Sequence, residues 1–343
     1  MIKKPKNSFK KLAIITPVFN TEKYLHLFFK SVLCQSFKDF DLYVVNDGST
    51  DGSDRIIRNY EQEDRRVLYY KKTNSGVSSA RNYALEKVKE SSVCYEYIYF
   101  CDSDDMLADD CLSKLIDALS KDNFDYAVFS VDYLTKCNQK SHRQRFFVNE
   151  RMTHDDIVKQ YFRLGWKWRK EACSEAFLNN KVFKSEYVLK FRFDVSLIRS
   201  EDFAFFMQIL PLLKSGVLVP TAKYIYRRRK SSLTNTVFND ADLVVCKSVY
   251  PFLCPDMFIE KYAISKKMLR AYYLNSVYLF EKGFRMESYK LMGEGRSSLF
   301  LNLIPSDLKV IMLSCLPRCL FNLYMKCRAD RKDREKLIDT YFD

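Results

Sequence analysis

The most constraining feature of this chain is a repeated alternation in its first third. Apolar β-type runs at 12–16, 41–45, 67–70 and 97–101 each end in a polar loop, and a helical pattern usually follows. The first helix is expected to begin near Asn20 or Thr21, both acceptable caps. Its Leu25, Phe28, Phe29, Val32 and Leu33 recur at three- and four-residue spacing and predict one buried stripe. A second helix is expected from Asp51 or Ser53 to Tyr60, and a third over 80–88. Strand, crossover and strand in this order predict right-handed connections and a largely parallel α/β sheet flanked by helices. In open sheets of this kind ligands bind beyond the carboxyl ends of the strands, where the polar motifs of this region fall.

Further along, the pattern predicts a strand at 126–132, a helix at 155–164, and a helical stripe of Phe203, Phe206, Met207 and Leu210. A closing strand is expected at 217–226, followed by the basic run RRRKSSLTN. From about residue 240 the composition becomes helical, clearest at 262–280 and 287–303. The expected organisation is a loose basic N-terminus at 1–10, an α/β domain at 11–238 and a C-terminal helical region at 239–343.

Composition narrows the function classes. With 343 residues and 47% hydrophobic side chains the chain can bury one generous core with a smaller helical appendage. A net charge of +14 favours anionic partners, phosphates or acidic lipid surfaces. The basic residues are dispersed and no nucleic-acid-binding motif accompanies them, so no nucleic-acid partner is expected. The eleven cysteines lack paired CxxC spacing and read as buried thiols of a reducing cytosol. His26, His142 and His154 lie far from any such pair, which argues against a zinc site. The opening MIKKPKNSFK has no apolar run and does not read as a secretory signal. The apolar stretch at 310–316 is far short of the ~20 residues a membrane span needs.

Chemistry concentrates at Asp102, Ser103, Asp104 and Asp105. Carboxylates crowded at the end of a buried strand repel unless a cation neutralises them, and Mg²⁺ or Mn²⁺ would bridge them to a diphosphate. The other reading is a solvated acidic turn ahead of the helix near Asp109. Asp47, in Asp-Gly-Ser-Thr-Asp-Gly, either accepts from a nucleobase or ribose or is a turn aspartate before glycine. Arg81 and Asn82 either hold a pyrophosphate or decorate a helix face. Asp202, beside Glu201, is either a base or a helix N-terminal carboxylate. The segment Trp166, Lys167, Trp168, Arg169, Lys170 either contacts a sugar face and a phosphate or is an exposed edge of a helix-loop element.

Taken together and in order, these motifs closely resemble the family-2 glycosyltransferases of the GT-A fold. The matching segments are ITPVFN at 15–20, VVNDGSTDGS at 44–53, NSGVSSARN at 74–82, FCDSDD at 100–105, SEDFAFF at 200–206 and YRRRKSSLT at 226–234. The resemblance implies that Thr16, Pro17 and Asp47 lie near the base and ribose. It makes Asp102 and Asp104 the metal-binding DxD pair, with Ser103 and Arg81 also at the donor. Asp202 becomes the base with Glu201 supporting it, and Arg229 and Ser232 fall in a loop that closes over the diphosphate. Asn46 stands where many members carry Asp, and Asp47 keeps the role.

The implied activity is inverting transfer of a sugar from a nucleoside-diphosphate donor, by default a UDP-sugar, to a glycan or lipid-linked acceptor in surface polysaccharide assembly, capsule and lipopolysaccharide included. The alternatives are an inactive nucleotide-sugar-binding scaffold and a nucleotidyltransferase-like protein. Retention of DSDD and Glu201-Asp202 argues against the first. ITPVFNTEKY, which has no glycine-rich phosphate loop, argues against the second. The expected setting is cytoplasmic and peripheral to the membrane. At 308–327, Val310, Ile311, Leu313, Leu316, Leu320, Phe321, Leu323 and Tyr324 are interleaved with Lys309, Arg318 and Lys326, a pattern that fits either an interfacial helix or an appendage packed on the catalytic domain.

Overall fold

The computed structural model describes residues 8–134, 140–141, 149–162, 178–197 and 200–227. The chain divides into two compact units, Met1–Ser232 and Leu233–Asp343, and the described residues belong to the first. Arg229, Ser232, the 166–170 segment and the region 239–343, where helices are expected, lie outside the described residues.

Three β-α units open the chain: β1 (Ser8–Val18), α1 (Glu22–Leu33), β2 (Phe40–Asp47), α2 (Ser53–Glu63), β3 (Val67–Lys72) and α3 (Val77–Glu90), leading to β4 (Val93–Phe100). After β5 (Met106–Leu107) come α4 (Cys111–Lys121), β6 (Tyr126–Leu134), β7 (Lys140–Ser141), β8 (Glu150–Thr153) and α5 (His154–Tyr161). The described part closes with β9 (Lys181–Lys184), α6 (Ser185–Val188), α7 (Glu201–Ile209), a 3-10 turn and β10 (Ser215–Arg227). One ten-stranded sheet runs β3-β2-β1-β4-β9-β6-β10-β5, with β7 on β6 and β8 on β10. The long ladders, β1 with β2 and β4, β2 with β3, and β6 with β10, are parallel as expected. The short β9 enters antiparallel between β4 and β6.

Period-2 alternation decides which face each strand residue serves. Leu12, Ile14 and Val18 of β1, Leu42 and Val44 of β2, and Tyr97 and Tyr99 of β4 share one face. They pack with Leu25, Phe28, Phe29 and Val32 of α1, Ile56 and Ile57 of α2, and Leu112 and Leu115 of α4. The opposite face, carrying Ile15, Val45 and Phe100, is covered by α3, which packs on β1 and β2. Tyr43 stacks with Tyr70 on that side, and Tyr70 meets Tyr83 of α3 edge-on. Every position of β2 is buried, the pattern of a strand covered on both faces.

Three local expectations are corrected. The first strand does not end at 16, since β1 continues to Val18 with Pro17 opposite Val45. The carbonyl of Ile15 accepts from Cys101 on the β4 side, so Pro17, two residues on, faces the same side, beyond the last β1–β4 pair. Its missing N–H is not called for there. Thr21 takes the N-cap position of α1 without a side-chain capping bond. The cap comes instead from Asp51, which accepts from Glu22 N–H at 3.0 Å, while Glu22 accepts from Gly52 N–H at 2.9 Å and so caps α2. Helix α3 begins three residues before the expected 80, because Gly76 adopts φ +90° and turns the chain into the helix early. No described helix is long and apolar enough to cross a membrane.

Candidate active site at the carboxyl ends of the parallel strands

The loop after β4 carries the acidic run, and its carboxylates have separate partners. Asp102 accepts from Arg81 Nη2 at 3.1 Å and from Asn179 Nδ2 at 2.7 Å. Asp105, 1% exposed, accepts the Tyr224 hydroxyl at 2.6 Å and the Arg227 N–H at 2.7 Å. Arg227 Nε donates to the Asp104 carbonyl at 3.0 Å, and its guanidinium lies over the ring of Tyr24. Ser103 is turned to the other side of the sheet, where its hydroxyl meets that of Thr21 at 3.0 Å.

Arg81 is the centre of the arrangement. Its Nη1 donates to Asp202 Oδ1 at 2.6 Å and to Glu201 Oε1 at 3.3 Å, while Nη2 holds Asp102. Burial works against the guanidinium's charge, but Asp202, Asp102 and Glu201 outweigh it and raise its pKa. Burial pushes Asp102 up to about 6, with Asp104 and Asp202 adding to the rise and Arg81 opposing it. Burial and neighbouring Asp202 likewise push Glu201 up to about 7 against Arg81. Asp105 is raised by burial first, then by Asp104 and Asp102. The site therefore holds more buried negative charge than Arg81 balances.

Glu201 and Asp202 occupy the first turn of α7, where the helix dipole favours carboxylates. Ser200 before them has φ +59°, a left-handed backbone that non-glycine residues seldom adopt outside special sites. Asp202 Oδ2 accepts a long bond from Leu178 N–H at 3.4 Å.

Asp47 and Thr16, both expected at the base and ribose, point to opposite faces of the sheet, since Thr16 registers with Val44 and Asp47 lies an odd step beyond it. Asp47, 2% exposed, accepts from Lys72 Nζ at 2.6 Å, from Ser75 N–H and from Gly76 N–H at 2.8 Å. It thus holds the loop that starts α3. Thr16 is fully buried on the α1 face, and its hydroxyl has no hydrogen-bond partner among the described residues. Asn46 accepts from Ser49 N–H and donates toward Asp54. The structure brings together Arg81, Asp102, Glu201 and Asp202, with Asp104 beside them. It sends Ser103 and Thr16 to the opposite face.

These residues fit a hard divalent cation in one limited way. Among the described residues no three His, Cys, Asp or Glu side chains converge as a metal cage. Each oxygen of Asp102 keeps a further lone pair beyond its hydrogen bond, and Asp104 adds charge beside it. That donor set suits Mg²⁺ or Mn²⁺ completing its coordination with phosphate oxygens. Asn179, Tyr224 and Arg227, which shape the acidic loop, were missed by the sequence reading. Arg227 belongs to the basic run that drew attention to Arg229, Tyr224 alternates along the expected strand 217–226, and Asn179 carries no local signal.

Comparison with known proteins gives the chain's family and fold. The family described as Glycosyl transferase family 2 matches residues 13–188. An uncharacterized glycosyltransferase of Haemophilus influenzae is 30% identical over 260 residues, covering 71% of this chain and 93% of the relative. The glycosyltransferase GlyA of Streptococcus pneumoniae is 28% identical over 227 residues, 65% of this chain, which spans 31% of that relative's length. Minor teichoic acid biosynthesis protein GgaA of Bacillus subtilis is 32% identical over 228 residues, covering 64% of this chain and 47% of the relative. Among solved structures, S. aureus TarS 1–349 in complex with UDP-GlcNAc superposes with a TM-score of 0.64 at 17% identity, covering 92% of this chain and 87% of that one, and shares the GT-A fold. Because the family match runs from β1 through α6 and takes in the acidic loop that Arg81 ties to α7, the chain belongs to glycosyl transferase family 2.

Proposed function

We propose that the chain transfers a sugar, with inversion, from a UDP-sugar to a hydroxyl of a glycan or lipid-linked acceptor. The observation that carries this reading is the grouping of Asp102, Glu201 and Asp202 around Arg81 at the carboxyl edge of a parallel sheet. Asp102 and Asp104 would hold Mg²⁺ or Mn²⁺, whose charge stabilises the departing diphosphate. Asp202 takes the acceptor proton as the hydroxyl attacks the anomeric carbon, and Oδ2 is the oxygen for it, since Oδ1 is engaged by Arg81. Glu201 steadies Arg81 through the same Nη1 that holds Asp202. Direct displacement by the acceptor inverts the anomeric centre and needs no second carboxylate as nucleophile.

The uridine donor is supported by the TarS complexes with UDP-GlcNAc and UDP, and a surface-polymer setting by the relatives named for minor teichoic acid biosynthesis. The test is incubation of the full chain with a panel of nucleotide sugars and Mn²⁺. Release of free UDP from a UDP-sugar is expected, and binding across the panel without release would make the chain a scaffold. A cytoplasmic, membrane-peripheral location belongs to the same proposal and rests on the sequence at 308–327, where apolar and basic residues interleave. Co-sedimentation with anionic liposomes, comparing the full chain with one ending near residue 290, tests it. Equal, salt-insensitive recovery of both in the supernatant would eliminate it.

A further inference from the structure

Arg81 and Asn82 are consecutive on α3 and grip two neighbouring segments. Asn82 makes a two-point pair with the backbone of Phe193: its Nδ2 donates to the carbonyl at 2.8 Å, and the Phe193 N–H donates to its Oδ1 at 2.8 Å. The Phe193 ring lies flat on Phe205 of α7, with centroids 3.8 Å apart and planes 5° from parallel, and meets Phe100 of β4 edge-on. The Arg81 guanidinium sits 5.3 Å over the same ring while it holds Asp202, Glu201 and Asp102. Helix α7 is therefore tied to α3 twice, directly by Arg81 and through Phe193 and Phe205 by Asn82. The start of α3 is in turn fixed by Asp47 through the Ser75 and Gly76 N–H groups.

We propose that Asn82 is a positioning residue for sugar transfer, whose amide fixes Phe193 and thereby seats α7 so that Asp202 stands at a set distance from Asp102. This rests on the reading of Asp202 as base. Asn82 hydrogen-bonds to the Phe193 backbone on both sides of its amide, and an influence on the reaction reaches Asp202 through Phe193 and Phe205. An amide matched to one backbone N–H and one carbonyl is geometrically specific in a way that an apolar side chain of equal volume is not. A displacement of roughly 1 Å at a reacting group lowers turnover about 10²-fold, so small movements of α7 register in the rate.

The experiment uses the full chain with Asn82→Leu, which keeps the branched four-atom skeleton of the side chain and removes both bonds, and Asn82→Ala. The control is Glu86→Gln, on the same helix, which removes the exposed ion pair with Arg192 next to Phe193. Three quantities are read: amide hydrogen exchange in 201–209, affinity for UDP with Mn²⁺, and UDP release from a panel of UDP-hexoses and UDP-N-acetylhexosamines. Asn82→Leu is expected to speed exchange in α7 about tenfold and to cut turnover roughly 10- to 100-fold, with UDP affinity within about twofold. Glu86→Gln should change none of these. Unchanged turnover in Asn82→Leu overturns the inference, whether or not α7 exchange rises. UDP affinity falling in step with turnover overturns it too, since Asn82 would then serve donor binding. A parent chain that releases no UDP from any of the panel strikes the underlying reading instead, and is told apart because the failure is in the parent. Should the Ala variant unfold, the Leu variant carries the test.

Discussion

Tyr224 donates its hydroxyl to Asp105 at 2.6 Å, and this bond divides the acidic run DSDD by role. Asp105 joins the loop after β4 to β10, since it also accepts the Arg227 N–H at 2.7 Å. Asp105→Ala leaves a buried hydroxyl and a backbone N–H without their acceptor, at about 1–3 kcal/mol each. The expected outcome is a loss of roughly 3 kcal/mol in urea unfolding, with activity falling in proportion to the folded fraction at first and then from distortion of the loop. Wild-type stability in this variant would remove Asp105 from the frame.

Asp104 should behave in the opposite way. Asp104→Ala removes charge beside Asp102, and the bond from Arg227 Nε goes to the backbone carbonyl of residue 104, which the substitution keeps. Turnover should vanish while the variant still unfolds in one cooperative transition and stays folded at the assay temperature. Chelator should abolish parent activity and Mn²⁺ or Mg²⁺ should restore it. Full turnover in excess chelator would rule out the metal assignment.

The elements that were legible in the sequence are those with local causes. Apolar runs ending in polar turns announced β1 to β4, and the spacing of Leu25, Phe28, Phe29 and Val32 announced α1 with its buried face. What escaped depended on distant chain. Arg81 reads as a helix-face cation until Asp202, 121 residues away, and Asp102 close on it. Asn179 reaches Asp102 because β9 inserts beside β4, a pairing that no spacing encodes. Asp47 reads equally as a nucleotide contact or a turn aspartate, and in the fold Ser75 and Gly76 claim its oxygens because Gly76 turns with positive φ.

Gly48 gives a test of that edge. Its φ is +73°, and a Cβ there would stand 2.7 Å from the Asn74 backbone nitrogen. Gly48→Ala therefore meets both a left-handed backbone and a backbone clash, neither of which a rotamer change relieves. A loss of roughly 2 kcal/mol or more is expected by thermal unfolding, together with weaker UDP binding as the loop at 73–76 is pushed from Asp47. An Ala variant with parent stability and affinity would show that the turn has room to move.

Asp202→Asn keeps the shape of the side chain and its place in the first turn of α7. A neutral amide cannot take the acceptor proton, so turnover should fall by about 10²- to 10⁴-fold while the Kd for UDP stays within a few-fold. Steady-state transfer and calorimetric titration separate the two effects. Transfer at the parent rate would place the base elsewhere.

The last prediction concerns pH and needs no substrate. Burial, with Asp202 beside it, holds Glu201 at about 7, and burial, with Asp104 and Asp202, holds Asp102 at about 6, Arg81 opposing both. In the unfolded chain both carboxyls titrate near pH 4. Between about pH 4 and pH 7 the folded chain consequently binds more protons than the unfolded one, and stability falls as pH rises. The contribution is full below about 4 and gone above about 7, the reverse of an ordinary ion-paired carboxylate. Side-chain exposures of 17% for Glu201 and 32% for Asp102 let solvent screen part of it. The metal-free full chain should lose melting temperature from pH 5 to 8, and Glu201→Gln, neutral throughout, should flatten the part above pH 6. Mn²⁺ with UDP should stabilise the parent more at pH 8 than at pH 5, because the cation meets charge that protons no longer cover. If parent and Glu201→Gln melt with identical pH profiles, Glu201 does not titrate in this window and the excess of buried charge at Arg81 is smaller than the geometry implies.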